Sequence, residues 1–119
     1  MTNLETYYLI FIGLQLLHST EELSTGFHDK FPPLKMTFRF FLTFEISFLL
    51  LWVLVYLLNF PFREYLMAFF IALMFANGIW HIVWFWFFEK GKKYVPGLVT
   101  APLFIIAFFV YYFSLVFKG

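Results

Sequence analysis

The sequence contains no cysteine, which excludes disulfides, thiolate metal sites and a cysteine nucleophile and leaves the redox compartment open. Charge is scarce as well: 13% of the 119 residues are charged, against about a quarter in soluble domains. The formal net charge of +1 lacks the basic excess of a nucleic-acid-binding chain, so no nucleic-acid partner is expected. H-E-x-x-H, the G-x-S-x-G elbow and a glycine-rich phosphate loop are all missing, which removes the familiar catalytic signatures. What the chain has instead is apolar bulk, with 63% hydrophobic residues and 21 Phe, 7 Tyr and 4 Trp. Aromatic rings suit lipid contact and the headgroup boundary, so this composition predicts an integral membrane protein whose first partners are membrane lipids. Once the apolar segments are removed, too little is left for a soluble domain.

A bilayer core needs about 20 apolar residues of helix, and four segments approach that length. They run from Leu4 to Leu23, Phe38 to Leu58, Tyr65 to Phe88 and Gly97 to Phe117. Turn signals separate them: FPPL at Phe31 to Leu34, NFPF at Asn59 to Phe62, and VPG at Val95 to Gly97. Helices rather than strands are expected, because an open sheet edge in lipid leaves backbone groups unpaired. The expected fold is therefore all-α, a single domain over residues 1–119 with four transmembrane helices in an antiparallel bundle. The first span is the weakest, because its uninterrupted apolar part, Tyr7 to Leu17, already contains Gln15 and must take His18, Glu21 and Glu22 along to cross. A cleaved signal peptide is not expected there, since no basic start and no small-residue cleavage site are present. Lys30, Lys35, Arg39, Lys90, Lys92 and Lys93 flank two connections, while only Arg63 and Lys118 lie at the opposite ends. The positive-inside rule then makes the two basic loops cytoplasmic and leaves both termini outside.

This topology sets several polar side chains at one depth. His18 lies five residues before the end of its span, His81 seven before the end of the third and Glu45 seven after the start of the second, each about 8 to 10 Å in. Asn77 is one turn deeper than His81, Thr43 and Thr100 share the same cytoplasmic half, and the other half of every span is nearly bare of polar groups. At about 100° per residue His18, Glu21 and Glu22 fit one arc of the first helix. Ala68, Ala72 and Ala76 form a small-residue row of the kind that lets membrane helices approach closely. A helix ending near Gly26 would leave both glutamates at its partially negative end, so a metal ion, Lys35 or Arg39, or a proton must compensate.

Imidazole and carboxylate groups three or four residues apart can hold Zn²⁺ or Fe²⁺, with a third ligand from another helix. His18, Glu22 and His81 are the expected metal ligands. Glu45 is either a fourth ligand or an acceptor that orients an imidazole, unless it merely pairs with Arg39 or Lys35. Glu21 is the expected acid/base residue, and Asn77 or Thr100 the group that polarises a substrate. The plainer alternative is a helix end whose carboxylates reach headgroups and water. His28 is expected to be an ordinary loop histidine, and Trp80, Trp84 and Trp86 an interfacial belt.

His18-x-x-Glu21-Glu22, the Asn77 and His81 pair and the segment YVPGLVTAPL from Tyr94 to Leu103 together resemble the HXXEE family of small bacterial membrane proteins. The resemblance implies an integral protein of the bacterial inner membrane with a shared polar site at His18, Glu21, Glu22 and His81, and implies no reaction. The functional expectation is a metal-dependent membrane enzyme acting on a lipid or another hydrophobic molecule, by hydrolysis or oxidation. Without the ion, the same groups could carry out acid/base isomerisation. A proton- or metal-ion-binding transporter subunit and a structural helper of a membrane complex are the alternatives, and homo-oligomers are compatible with all three.

Overall fold

Thr2 opens the first helix by a capping box: its hydroxyl accepts from the Glu5 amide while the Glu5 carboxylate accepts from the Thr2 amide. From there α1 runs from Asn3 to Ser24 and stops where Gly26 takes up a left-handed φ of 82°, which a side chain would disfavour. The computed structural model describes residues 1–31 and 33–117. Pro32, part of the expected FPPL turn, and Lys118, one of the two opposing cations, lie outside them. A short helix α2 (Phe27–Lys30) follows, then α3 (Phe38–Leu57), capped by the Thr37 hydroxyl on the Phe40 amide. α4 (Arg63–Val83) continues into a π-helical turn at Trp84–Phe88, and α5 covers Ala101–Phe117.

Among the described residues the fold is all-helical, as expected. Two helices, Phe38–Leu57 and the continuous Arg63–Phe88, are long and apolar enough to cross a membrane by length and composition. The expected span from Gly97 is corrected: Gly97 to Thr100 form a turn and α5 starts at Ala101, leaving 17 residues of apolar helix. Gly97 adopts a φ of 94°, and the Glu21 carboxylate of α1 accepts from the Val99 and Thr100 amides that precede the helix.

Side-chain contacts fix the directions of packing. Tyr8 meets the carbonyl of Trp52 and Gln15 meets Glu45, so α1 and α3 are antiparallel. Glu5 with Arg63, Tyr8 with Phe70 and His18 with His81 make α1 and α4 parallel. Asn3 with Ser114 and His18 with Thr100 make α5 antiparallel to α1. One core cluster joins Tyr8, Phe11, Trp52, Phe70, Met74 and Phe104, and a second joins Phe27, Phe41, Trp84 and Val95. The alanine row expected to mediate close helix contact faces outward instead. Close approach occurs at Gly78, where an added Cβ would stand 2.7 Å from the Ala101 carbonyl oxygen of α5.

Candidate metal centre

α1 carries Tyr8, Phe11, Gln15, His18 and Glu22 on one buried stripe, at the three-and-four spacing of a helix face. Its polar members therefore turn toward the protein, while Leu9, Ile10, Leu16 and Leu17 remain outside. The stripe ends against α4, where His81 is equally buried. His18 and His81 are both 0% exposed and Glu22 is 4% exposed. Their reactive atoms converge: His18 Nε2 lies 3.0 Å from His81 Nε2, His81 Nε2 lies 3.2 Å from Glu22 Oε2, and His18 Nε2 lies 3.5 Å from the same oxygen. The rings of Phe104, Phe27 and Trp84 close over the pair at centroid distances of 5.1, 6.0 and 5.9 Å.

The tautomer of His18 follows from its other nitrogen. Nδ1 is 2.7 Å from Thr100 Oγ1, and that hydroxyl gives its single proton to Glu21 Oε1, also at 2.7 Å. His18 must then donate from Nδ1, which leaves a lone pair on Nε2 directed at the centre. His81 offers no such support, because its Nδ1 is buried without a partner among the described residues. Three acceptor atoms meeting in a dry space need a cation between them: a proton on His81 Nε2, or a metal ion. Tetrahedral zinc with ligands at about 2.0 to 2.1 Å has ligand-to-ligand edges of about 3.3 Å, which the observed triangle matches. The donor set of two imidazoles and one carboxylate also suits Fe²⁺. These three residues could hold a metal ion.

Glu21 and Glu22, adjacent in sequence, serve different partners. Glu21 turns away from the histidine pair and accepts four hydrogen bonds: from the Val99 and Thr100 amides, the Thr100 hydroxyl and the Tyr94 hydroxyl. Burial, and then the Glu21 carboxylate beside it, hold the Tyr94 hydroxyl above the ordinary phenol range, so it keeps the proton it donates. At the end of α1, Glu21 is thus held by the turn that precedes α5 and by Tyr94, and Glu22 by the two imidazoles. Replacing Glu21 by alanine should strip the α5 start of its acceptor and lower stability by about 2 kcal/mol, because the partly exposed site lets water replace some of the loss. The check is the thermal unfolding midpoint in detergent, with metal content measured on the same sample.

Glu45 lies outside the three-residue group. Its Oε2 accepts from the Ser19 hydroxyl and from Gln15 Nε2, and among the described residues neither Arg39 nor Lys35 pairs with it. Glu45, Glu22, Gln15 and Asn77 face a cavity of about 360 Å³ between α3 and α4 that is otherwise walled by apolar and aromatic side chains. Thr100 does not reach this cavity and belongs to the His18 side; Thr43 points outward. His28 sits on α2 against Phe38, away from the centre. Trp84, expected in an interfacial belt, is 1% exposed, whereas Trp86 is 62% exposed.

Sequence reasoning missed Gly97, whose added Cβ would stand 2.6 Å from His81 Cε1 and 2.7 Å from His18 Cε1. Its signal was the Pro-Gly turn. Gln15 and Ser19 were also missed as partners of Glu45, although their i, i+4 spacing places them on the stripe that holds Glu22.

An all-helical chain with a buried two-histidine, one-carboxylate group beside an apolar cavity is the class defined by these features. A family model described as a protein of unknown function with HXXEE motif matches residues 9–112, and the chain belongs to that HXXEE family. The motif is His18, Glu21 and Glu22, so its three named positions divide into one pair at the candidate metal centre and one clasp on the turn before α5. No curated protein and no solved structure matches the chain.

Proposed function

We propose that the chain is a single membrane domain of four antiparallel spanning helices and that it is a metal-dependent enzyme acting on a hydrophobic molecule entering from the lipid. The spanning reading is supported by the outward faces: Leu57, Phe69, Phe87 and Phe113 are among many large apolar side chains at least half exposed, a surface that lipid covers at no cost. The burial of Gln15, His18 and Glu22 lets α1 cross despite its polar residues, since its outer face stays apolar. Basic residues crowd the connections at the end of the molecule that holds the site, which favours a cytoplasmic position for that end and external termini.

The observation that carries the catalytic reading is the double membership of Glu22, which belongs to the metal-binding group and also to the cavity wall. A ligand in the cavity would therefore lie against the ion. Bound there, Zn²⁺ or Fe²⁺ supplies a Lewis acid with open positions. The chain supplies the rest. Thr100 and Glu21 orient His18, and Asn77 offers an amide to a polar group of the substrate. Glu45, and not Glu21, faces the substrate space as the proton acceptor. Phe44 and Ala76 line the cavity and are exposed, so its mouth opens on the lipid-facing side between α3 and α4. Beyond the site, packed Phe11, Phe70, Ile71 and Phe104, each at most 1% exposed, favour a chamber open on one side over a conduit.

Elemental analysis of detergent-purified protein without a polyhistidine tag tests this reading. Near-stoichiometric Zn or Fe is expected in the wild type and in Glu45→Gln, because Glu45 is not a ligand. A well-folded wild type without metal overturns it.

A further inference from the structure

Glu45 is 7% exposed; its hydrogen-bond partners are neutral and the Glu22 carboxylate lies beside it. Ser19 and Gln15 both donate to its Oε2, while its Oε1 takes part in no hydrogen bond among the described residues. A buried carboxylate normally has a counter-charge, and Glu22, the other carboxylate on the cavity wall, has only the two imidazoles against it. The remaining polar groups of the wall do not supply one. Gln15 adds a buried Oε1 without a partner, and no Lys, Arg or His lines the cavity among the described residues. The polar end of the chamber thus has acceptors in surplus and lacks a cation.

The apolar walls favour the same kind of ligand. Phe27, Phe41, Phe44, Phe48 and Trp80 surround the space, and the negative faces of aromatic rings attract organic cations, most strongly where water is excluded. At about 360 Å³ the chamber is at the small end of ligand pockets, with room for one compact hydrophobic body and not for a two-chain lipid. We infer that this cavity binds a lipophilic amine in its protonated form, with the ammonium group on Glu45 and the hydrocarbon among the aromatic rings. Anionic amphiphiles are excluded by the same carboxylates. The inference deepens the proposed enzyme reading by naming the charge of its substrate, yet the amine site needs no metal.

The test uses the full-length protein in nonionic detergent and an alkylamine carrying a diazirine, photolysed and mapped by mass spectrometry. Labelling is expected on cavity residues of α3 and α4, competed by octylamine at least tenfold better than by octanol or octanoate. Glu45→Gln should reduce labelling about tenfold. Trp80→Leu, which keeps the carboxylate network intact, should reduce it several-fold. Equal competition by octanol, or undiminished labelling in a folded Glu45→Gln protein, overturns the inference. Should Glu45→Gln fail to fold, undiminished labelling of Trp80→Leu does so. Metal content is measured on the same sample, so amine bound without metal upholds this inference and removes the enzyme reading, while metal without amine does the reverse.

Discussion

Gly97→Ala should abolish the candidate metal centre and destabilise the protein by on the order of 3 to 5 kcal/mol. Two independent costs coincide there. The backbone φ of 94° disfavours any residue with a Cβ, and the added carbon would lie 2.6 Å from His81 Cε1, 2.7 Å from His18 Cε1 and 2.9 Å from His81 Nδ1. Neither ring has room to yield, since both are fully buried and packed against Phe104, Phe27 and Trp84. A site of this kind tolerates displacements of only about 0.5 Å before its ligands lose their geometry. Metal content and the thermal midpoint, measured together on Gly97→Ala, check the expectation. A variant that retains full metal and wild-type stability would refute the account of the glycine as the wall of the centre. Helix α5 starts only at Ala101, because a helix through Gly97 would give up the left-handed turn that sets the glycine against the two imidazoles.

The second large effect is expected at the histidines. Removing either imidazole leaves two of three ligands, and since loss of a group that merely supports a ligand costs about 10- to 100-fold in metal affinity, loss of the ligand itself should exceed 100-fold. His18→Ala and His81→Ala should therefore purify without metal. Truncating one member of a buried ion pair also costs about 3 to 5 kcal/mol when the remaining charge has no other partner. Glu22 keeps one histidine in each variant, so folded protein is expected at reduced thermal stability. His81→Asn separates the two effects, because it retains a polar group near Glu22. Metal lost with folding intact marks a binding centre, whereas metal retained in both alanine variants would show that the ion, if any, lies elsewhere.

Much of this site was legible along the chain. Depth counted from the segment ends placed His18, Glu45 and His81 in one layer, and the structure brings His18 and His81 to 3.0 Å. Helical phase also placed Glu22 with His18. The same phase argument joined Glu21 to them, and the structure links it to His18 only indirectly, through the Thr100 hydroxyl. Successive residues differ by about 100° around a helix, so two adjacent carboxylates can face different neighbours, and phase within α1 cannot say where α5 will stand. Glu45 illustrates the converse. Its depth was right, but its partners are Gln15 and Ser19 of α1 and not the nearby cations, because the rotation of α3 turns it inward.

Composition and periodicity alone determined that the chain is helical, where its apolar segments run and which few ionisable groups are carried into them, since these depend on hydrophobic length and on spacing along one helix. Tertiary structure decided which of those groups meet. It set Glu22 between two imidazoles and Glu21 on the start of α5, buried Trp84, turned the alanine row outward, and placed Gly97 where a methyl group cannot fit. Those outcomes depend on how each helix is rotated about its own axis and on which neighbour fills the space beside it. That choice is made by close packing of many side chains at once and leaves no trace in the spacing of any one segment.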